Sequence, residues 1–216
     1  MMSFSDKYFK YVRGAFADHK YLFIFTVLFA VMCWIGAYFM ADWLFTKQEL
    51  VDGFSYLAQE TFFSFDDMME IIVNNCLLNI IYYFESMFFG FGAFEDMILN
   101  IGMSGIVSRA TEIACGDPFL FLKLTCLHGF FEDLSTILNS FAGFILFSFI
   151  VRFIKDLFSP SKRLANGTIT NSLEINKKHL YQSIAIFILA FAVMIFAGFL
   201  EEYISIPFGN LIASIF

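Results

Sequence analysis

The sequence predicts an all-α polytopic membrane bundle, with residues 1–216 forming a single integral membrane domain of about five transmembrane helices plus short interfacial or re-entrant ones. Three observations carry that class. Hydrophobic residues make up 59% of the chain and charged residues only 15%, with a mean hydropathy of +0.74, whereas soluble domains are nearer half apolar and a quarter charged. Residues 21–41 and 180–200 carry no charge, and each run matches the ~20 residues a helix needs to cross ~30 Å of hydrocarbon. Lysine and arginine gather in two separate segments, the N-terminus and residues 152–178, the pattern expected of cytoplasmic loops.

Residues 1–20 read as an interfacial helix. Phe4, Tyr8, Phe9, Val12 and Phe16 share one face, while Lys7, Lys10 and Arg13 lie elsewhere on the wheel and can meet anionic lipid. The competing reading is a helix packed on the next element. The first span, about 21–45, is longer than a signal-peptide core and lacks a clean cleavage context, so it reads as a retained anchor. Residues 46–70 hold Glu49, Asp52, Glu60, Asp66, Asp67 and Glu70 against Lys47 alone, an acidic helical segment expected outside.

The second span runs from about 70 to 90 and ends at Gly90-Phe91-Gly92, a pair of glycines suited to a tight turn. The third covers about 92–110. Asp117-Pro118 has the form of a helix start, and helix 118–127 is too short to cross the bilayer. Gly129 marks its end, and the fourth span follows over about 130–153. Residues 154–178 read as a solvated basic cytoplasmic loop, and the fifth span covers about 180–202. Five spans place the N-terminus in the cytoplasm and the C-terminus outside the cell membrane.

Polar residues inside these spans fall in stripes. Asn75, Asn79 and Ser86 recur at helical spacing in span two, with Asn74 alongside. His128, Glu132, Ser135 and Asn139 share one face of span four if His128 belongs to the same helix. Glu201 and Glu202 close span five, and Glu85, Glu95 and Asp96 flank the glycine turn. Asparagines and serines in such places commonly tie helices together, at about 0.6 kcal/mol per bond. His128 one turn before Glu132 fits structural pairing, a proton or ligand site, or two ligands of a metal whose others are not evident.

Cys33, Cys76, Cys115 and Cys126 form no CxxC or Cys/His cluster with metal-ligand spacing. No HExxH, GxSxG, phosphate-binding glycine loop or serine–lysine dyad is present, so nothing favours an enzyme, and nothing implies a cofactor or nucleic acid.

Four stretches resemble the stage II sporulation protein M family. "YFKYVRGAFADHKYLFIFTVLFAVMCWIGAYF" is similar to its basic lead-in and first span, and "IIVNNCLLNIIYYFESMFFGFG" to its Asn-Asn pair and Gly-x-Gly turn. "LHGFFEDL" resembles its His-Gly-x-x-Glu motif, and "AGFLEEYIS" the end of its last span. The matching positions are Asn74, Asn75, Gly90, Gly92, His128, Gly129, Glu132 and Glu201. The chain departs from the pattern at Leu127, where the family usually has proline, and at Ile101, where glycine commonly follows the asparagine.

The resemblance implies a non-enzymatic membrane scaffold or partner subunit linked to cell-envelope remodelling, since the family's namesake accompanies cell-wall-degrading proteins without being the hydrolase. Expected partners are the lipid bilayer, membrane or extracytoplasmic proteins including cell-wall enzymes, and a further copy of the chain. The rivals are a transporter or permease component, which broken helices beside polar groups would suit, and an intramembrane enzyme using His128 and Glu132. A shared site is expected where His128, Glu132 and Glu201 converge inside the bundle.

Overall fold

The computed structural model describes residues 4–59, 65–116, 128–158, 169–201 and 203, and among these it is helical throughout apart from short turns. Helix 118–127, Cys126, Ser159-Pro160-Ser161 and Glu202 lie outside the described residues. Helices α1 (Phe4–Asp18) and α2 (Lys20–Leu44) are joined at His19, whose backbone N–H still bonds the Ala15 carbonyl at 3.0 Å. Then come α3 (Lys47–Gln59), α4 (Phe65–Glu85) and α5 (Phe91–Asp96). A π-helical turn, Met97–Ile101, carries α5 without a break into α6 (Gly102–Cys115). Two long helices follow, α7 (His128–Phe158) and α8 (Ile169–Leu200).

Among the described residues three helices are long and apolar enough to cross a membrane: α2, α7 and α8. The expected second and third spans correspond to α4 and to the continuous helix from α5 to α6, which do not meet that standard. The reason is visible in the sequence. Acids at both ends trim the apolar stretch of α4, and Glu95, Asp96, Arg109 and Glu112 interrupt the other.

The bundle is organised around α7. From Ser135 to Leu146 nearly every side chain is buried, which is the signature of a helix packed on all sides. Its longest contact is with α8, and α4, α5 and α2 complete the ring. Phe141 is fully buried and meets the rings of Phe16 and Phe23 at 5.5 and 5.2 Å. By contrast α2 shows most of its apolar surface, as a peripheral helix facing hydrocarbon does.

The first helix packs on the bundle: Ala15 is fully buried in the main core, and Tyr8 Oη donates to the Ala185 carbonyl on α8 at 3.1 Å. Tyr8, Val12 and Phe16 of its apolar stripe are used against the bundle, while Phe9, Lys7, Lys10 and Arg13 stay exposed. The basic loop at 154–178 is shorter than expected, because residues 154–158 belong to α7 and residues 169–178 to α8.

The acidic segment 46–70 resolves into α3 and the start of α4. Thr46 and Glu49 form a reciprocal cap at the start of α3: the Thr46 N–H reaches Glu49 Oε2 at 2.8 Å and the Glu49 N–H reaches Thr46 Oγ1 at 3.3 Å. That bond from the Thr46 backbone holds the Glu49 carboxyl below its ordinary range. Leu50 then packs with Ala41 of α2 and Ala110 of α6.

Helices α4 and α5 meet in a tight hairpin. Phe89 and Gly90 both adopt left-handed backbone, at φ 57 and 74°. The first turn of α5 then crosses the last turn of α4 so closely that a Cβ on Gly92 would lie 2.0 Å from the Tyr82 carbonyl oxygen. On the other side of the bundle, a Cβ on Gly105 would lie 2.3 Å from the Trp34 carbonyl, so α6 lies directly on α2. Arg109 clamps that contact, pairing with Asp42 at 2.8 Å and Glu112 at 2.5 Å.

These contacts separate two glycine substitutions. Gly92→Ala collides with backbone and is expected to destabilise the bundle by about 1–3 kcal/mol, the usual cost of overpacking. Gly36→Ala, with no atom within 4 Å of its added Cβ, is expected to be neutral or stabilising by up to about 1 kcal/mol through helix propensity. Thermal unfolding of the two purified variants in one detergent checks the order. A Gly92→Ala protein as stable as the parent would refute the close hairpin.

Candidate intramembrane polar site

A chain of hydrogen bonds crosses the bundle at the level of Asp96. This residue ends α5 and is fully buried. Its Oδ1 accepts from Asn100 Nδ2 at 2.7 Å, and its Oδ2 from Asn139 Nδ2 at 2.7 Å and Ser140 Oγ at 3.4 Å. Asn139 Nδ2 also donates to the Asn79 carbonyl at 3.2 Å. Asn79 Nδ2 donates to Ser135 Oγ at 3.3 Å, and Ser135 Oγ to the Ala190 carbonyl at 2.8 Å. The chain therefore links α5, α7, α4 and α8. Among the described residues no Lys, Arg or His pairs with Asp96, whose carboxyl oxygens are met by amides and a hydroxyl.

A cleft of about 160 Å³ adjoins this chain, lined by Asn75, Asn79, Asn100, Ser104, Glu132 and Asp133, with Leu78, Thr136 and Met194. Glu132 and Asp133 make no hydrogen bond or ion pair among the described residues. Glu132 lies within electrostatic reach of Asp133 and of Glu201 at the end of α8.

The residues singled out by the sequence divide in space. Asn75 and Glu132 line the cleft, and Glu201 acts on Glu132 through its charge. Asn74 is exposed on another face of α4, one residue having rotated it away from the site. Gly90 and Gly92 shape the α4–α5 hairpin. His128 is the first described residue of α7, and Gly129 stands within its first turn. Among the described residues His128 Nδ1 is buried with no hydrogen-bond partner, and His128 and Glu132 form no bonded pair despite their one-turn spacing. Among the described residues no group of three His, Cys, Asp or Glu is placed to hold a metal ion. Cys33, Cys76 and Cys115 are free.

Asn100, Ser104 and Asp133 were not among those residues, and Asp96 was noted only as an acid beside the glycine turn. The available signal was the Asp96–Asn100 spacing of four, which puts both side chains on one helical face. The π turn, a feature often found at functional sites, starts directly after Asp96 and contains Asn100.

A second polar group marks the other end of α7. Asp18 pairs with Lys178 at 2.6 Å and accepts from Gln182 Nε2 at 2.5 Å, while His19 Nε2 and His179 Nδ1 lie 3.0 Å apart. The Lys178 bond holds the Asp18 carboxyl below its ordinary range, and burial lowers His19 toward the neutral imidazole. These contacts seat the α1–α2 junction on α8 and put the two basic segments at one end of the bundle.

Truncating either Asp96 or Asn139 to alanine strands a buried partner. The two losses are expected to be strongly non-additive, with a coupling energy above the ~0.6 kcal/mol average of membrane hydrogen bonds. A double-mutant cycle of Asp96→Ala and Asn139→Ala, read by unfolding in mixed micelles, measures it. Additive losses would show that the bond does not tie α5 to α7.

No curated protein and no solved structure matches the chain. The family model described as stage II sporulation protein M matches residues 25–206, from early in α2 past the end of α8. With most of its length matched, this membrane chain belongs to the stage II sporulation protein M family.

Proposed function

We propose that the protein is a non-enzymatic multi-pass membrane scaffold, a partner subunit in a larger assembly of the cell envelope. The observation that carries this reading is the use made of its interior polar groups. Asn79, Ser135, Asn139 and Tyr83 each bond to a different helix, with Tyr83 and Ser183 hydroxyls 2.9 Å apart and Ser183 bonded onward to the Ala142 carbonyl at 2.8 Å. Groups engaged in this way hold a rigid body together and are not free to act on a substrate. Family membership supports the same role, with cell-wall enzymes among the expected partners and with a second copy of the chain as another. The orientation that goes with it has the N-terminus in the cytoplasm, five crossings and the C-terminus outside.

One observation favours a second reading, a transporter or permease component. Glu132 and Asp133 line a cleft inside the bundle, and uncommitted carboxylates at such depth commonly mark proton or ion paths. Glu132→Gln distinguishes the two, because an amide keeps the shape but cannot exchange a proton. The scaffold reading expects the variant to accumulate normally and to restore cells lacking the protein as well as the parent does. Normal accumulation with loss of function, and loss of pH-dependent flux in reconstituted vesicles, would put transport first.

Reporter fusions at Leu50, Ala165 and the C-terminus test the orientation. The expected signals are outside, cytoplasmic and outside. A cytoplasmic C-terminal signal would rule out the five-crossing arrangement.

A further inference from the structure

Two cavities of opposite character meet at Asp133. One is the polar cleft of about 160 Å³. The other is an apolar groove of about 370 Å³ between α2, the π turn and α7, lined by Ala30, Val31, Trp34, Ile35, Ile101 and Ile137. Asp133 lines both. The geometry of α7 explains the junction. Glu132 and Thr136 are one turn apart and face the cleft, and Asp133 and Ile137 each follow one position later, about 100° around the helix. Val31 and Ile35 belong to the exposed side of α2, at 50% and 45% accessibility, so the groove opens where the bundle meets hydrocarbon.

The polar lining is incomplete as it stands. Neither Glu132 nor Asp133 receives a hydrogen bond or a cation among the described residues. Carboxylates in a membrane bundle need a cation, donors or water. Water alone suits the cleft but not an apolar groove. A small cation would likewise use the cleft and leave the groove empty, and a neutral lipid chain would fill the groove and leave the acids unmet. An amphiphile with an ammonium head satisfies both halves.

We propose that the cleft and groove form one binding site for a cationic amphiphile, its ammonium head group against Glu132 and Asp133 and its hydrocarbon chain along Trp34, Ile35 and Ile137. The site goes beyond the scaffold reading and requires only that the bundle be embedded in lipid, so either can fail without the other.

The groove contains its own reporter. The chain has two tryptophans, Trp34 in the groove and Trp43 at the far end of α2, 92% exposed. The full chain carrying Trp43→Phe, reconstituted in phosphatidylcholine vesicles, therefore reports on the groove through Trp34 fluorescence. The probes are one spin-labelled hexadecyl chain with an ammonium, a carboxylate or a phosphocholine head. The expected result is saturable quenching by the ammonium probe at a mole fraction at least five-fold lower than for the other two. Unlabelled hexadecyltrimethylammonium should reverse it and hexadecylphosphocholine should not, a competition that needs no further variant. Glu132→Gln with Asp133→Asn should abolish the preference at unchanged helix content, whereas Glu85→Gln with Glu95→Gln, which neutralises two exposed acids, should leave it intact. Equal quenching by all three head groups would reduce the groove to an ordinary lipid contact, and an equal effect of the two double variants would trace the preference to bulk charge. Either result overturns the site.

Discussion

A carboxyl group sealed inside a membrane bundle, with no cation beside it among the described residues, is a group that the fold must accommodate, and Asp96 sets the terms for its neighbours. Two amides and a hydroxyl converge on its oxygens, from Asn100 on its own helix and from Asn139 and Ser140 on α7. Asn139 spends the same amide on the Asn79 carbonyl, so α4 is held by the same residue. A shift of α7 by one turn would strand the acid and disturb the link to α4 together. Register among three helices thus rests on a few bonds, in a medium where leaving them unmade costs more than in water.

Lipid also removes the usual reason for helices to associate, because hydrocarbon outside is as welcoming to a phenylalanine as the bundle inside. Close approach has to do that work, and it is done by small residues. Gly92 lets α5 cross α4 at the Tyr82 carbonyl, Gly105 lets α6 lie on α2, and Gly143 of α7 leaves room for Ser86. The large apolar side chains are distributed accordingly. Many face outward along α2 and α4, and the aromatic residues that do enter the core, Phe16, Phe23 and Phe141, fill one cluster around α7.

Much of this was legible because one signal dominates a membrane sequence. Uncharged runs located α2, α7 and α8, and spacing placed Asn75 with Asn79 and Ser135 with Asn139 on shared faces. Other features depend on what lies opposite, which periodicity does not encode. Glu95 and Asp96 are adjacent acids, yet the first is exposed and the second fully buried. Only the position of Asn139 on another helix decides between them. The apolar stripe of α1 suits a headgroup layer as well as a bundle face. Asn74-Asn75 reads as a pair, but the helix turns one of them to the outside. Gly129 looked like a break, and it stands at the second residue of α7, next to the residues outside the described part.

The polar face of α7 changes character along its length, and that change separates architecture from ligand chemistry. Ser135, Asn139 and Ser140 reach other helices and are bonded to them. One turn earlier, Glu132 and Asp133 face space instead of protein. If polar residues in this helix served only to hold neighbours, the strongest acceptors would be those most fully engaged. Among the described residues the reverse holds: the serines and asparagine are committed and the carboxylates are not. Structural demand therefore accounts for the deeper part of the stripe and leaves the outer part unexplained by packing, which is where a partner from outside the chain has room to bind.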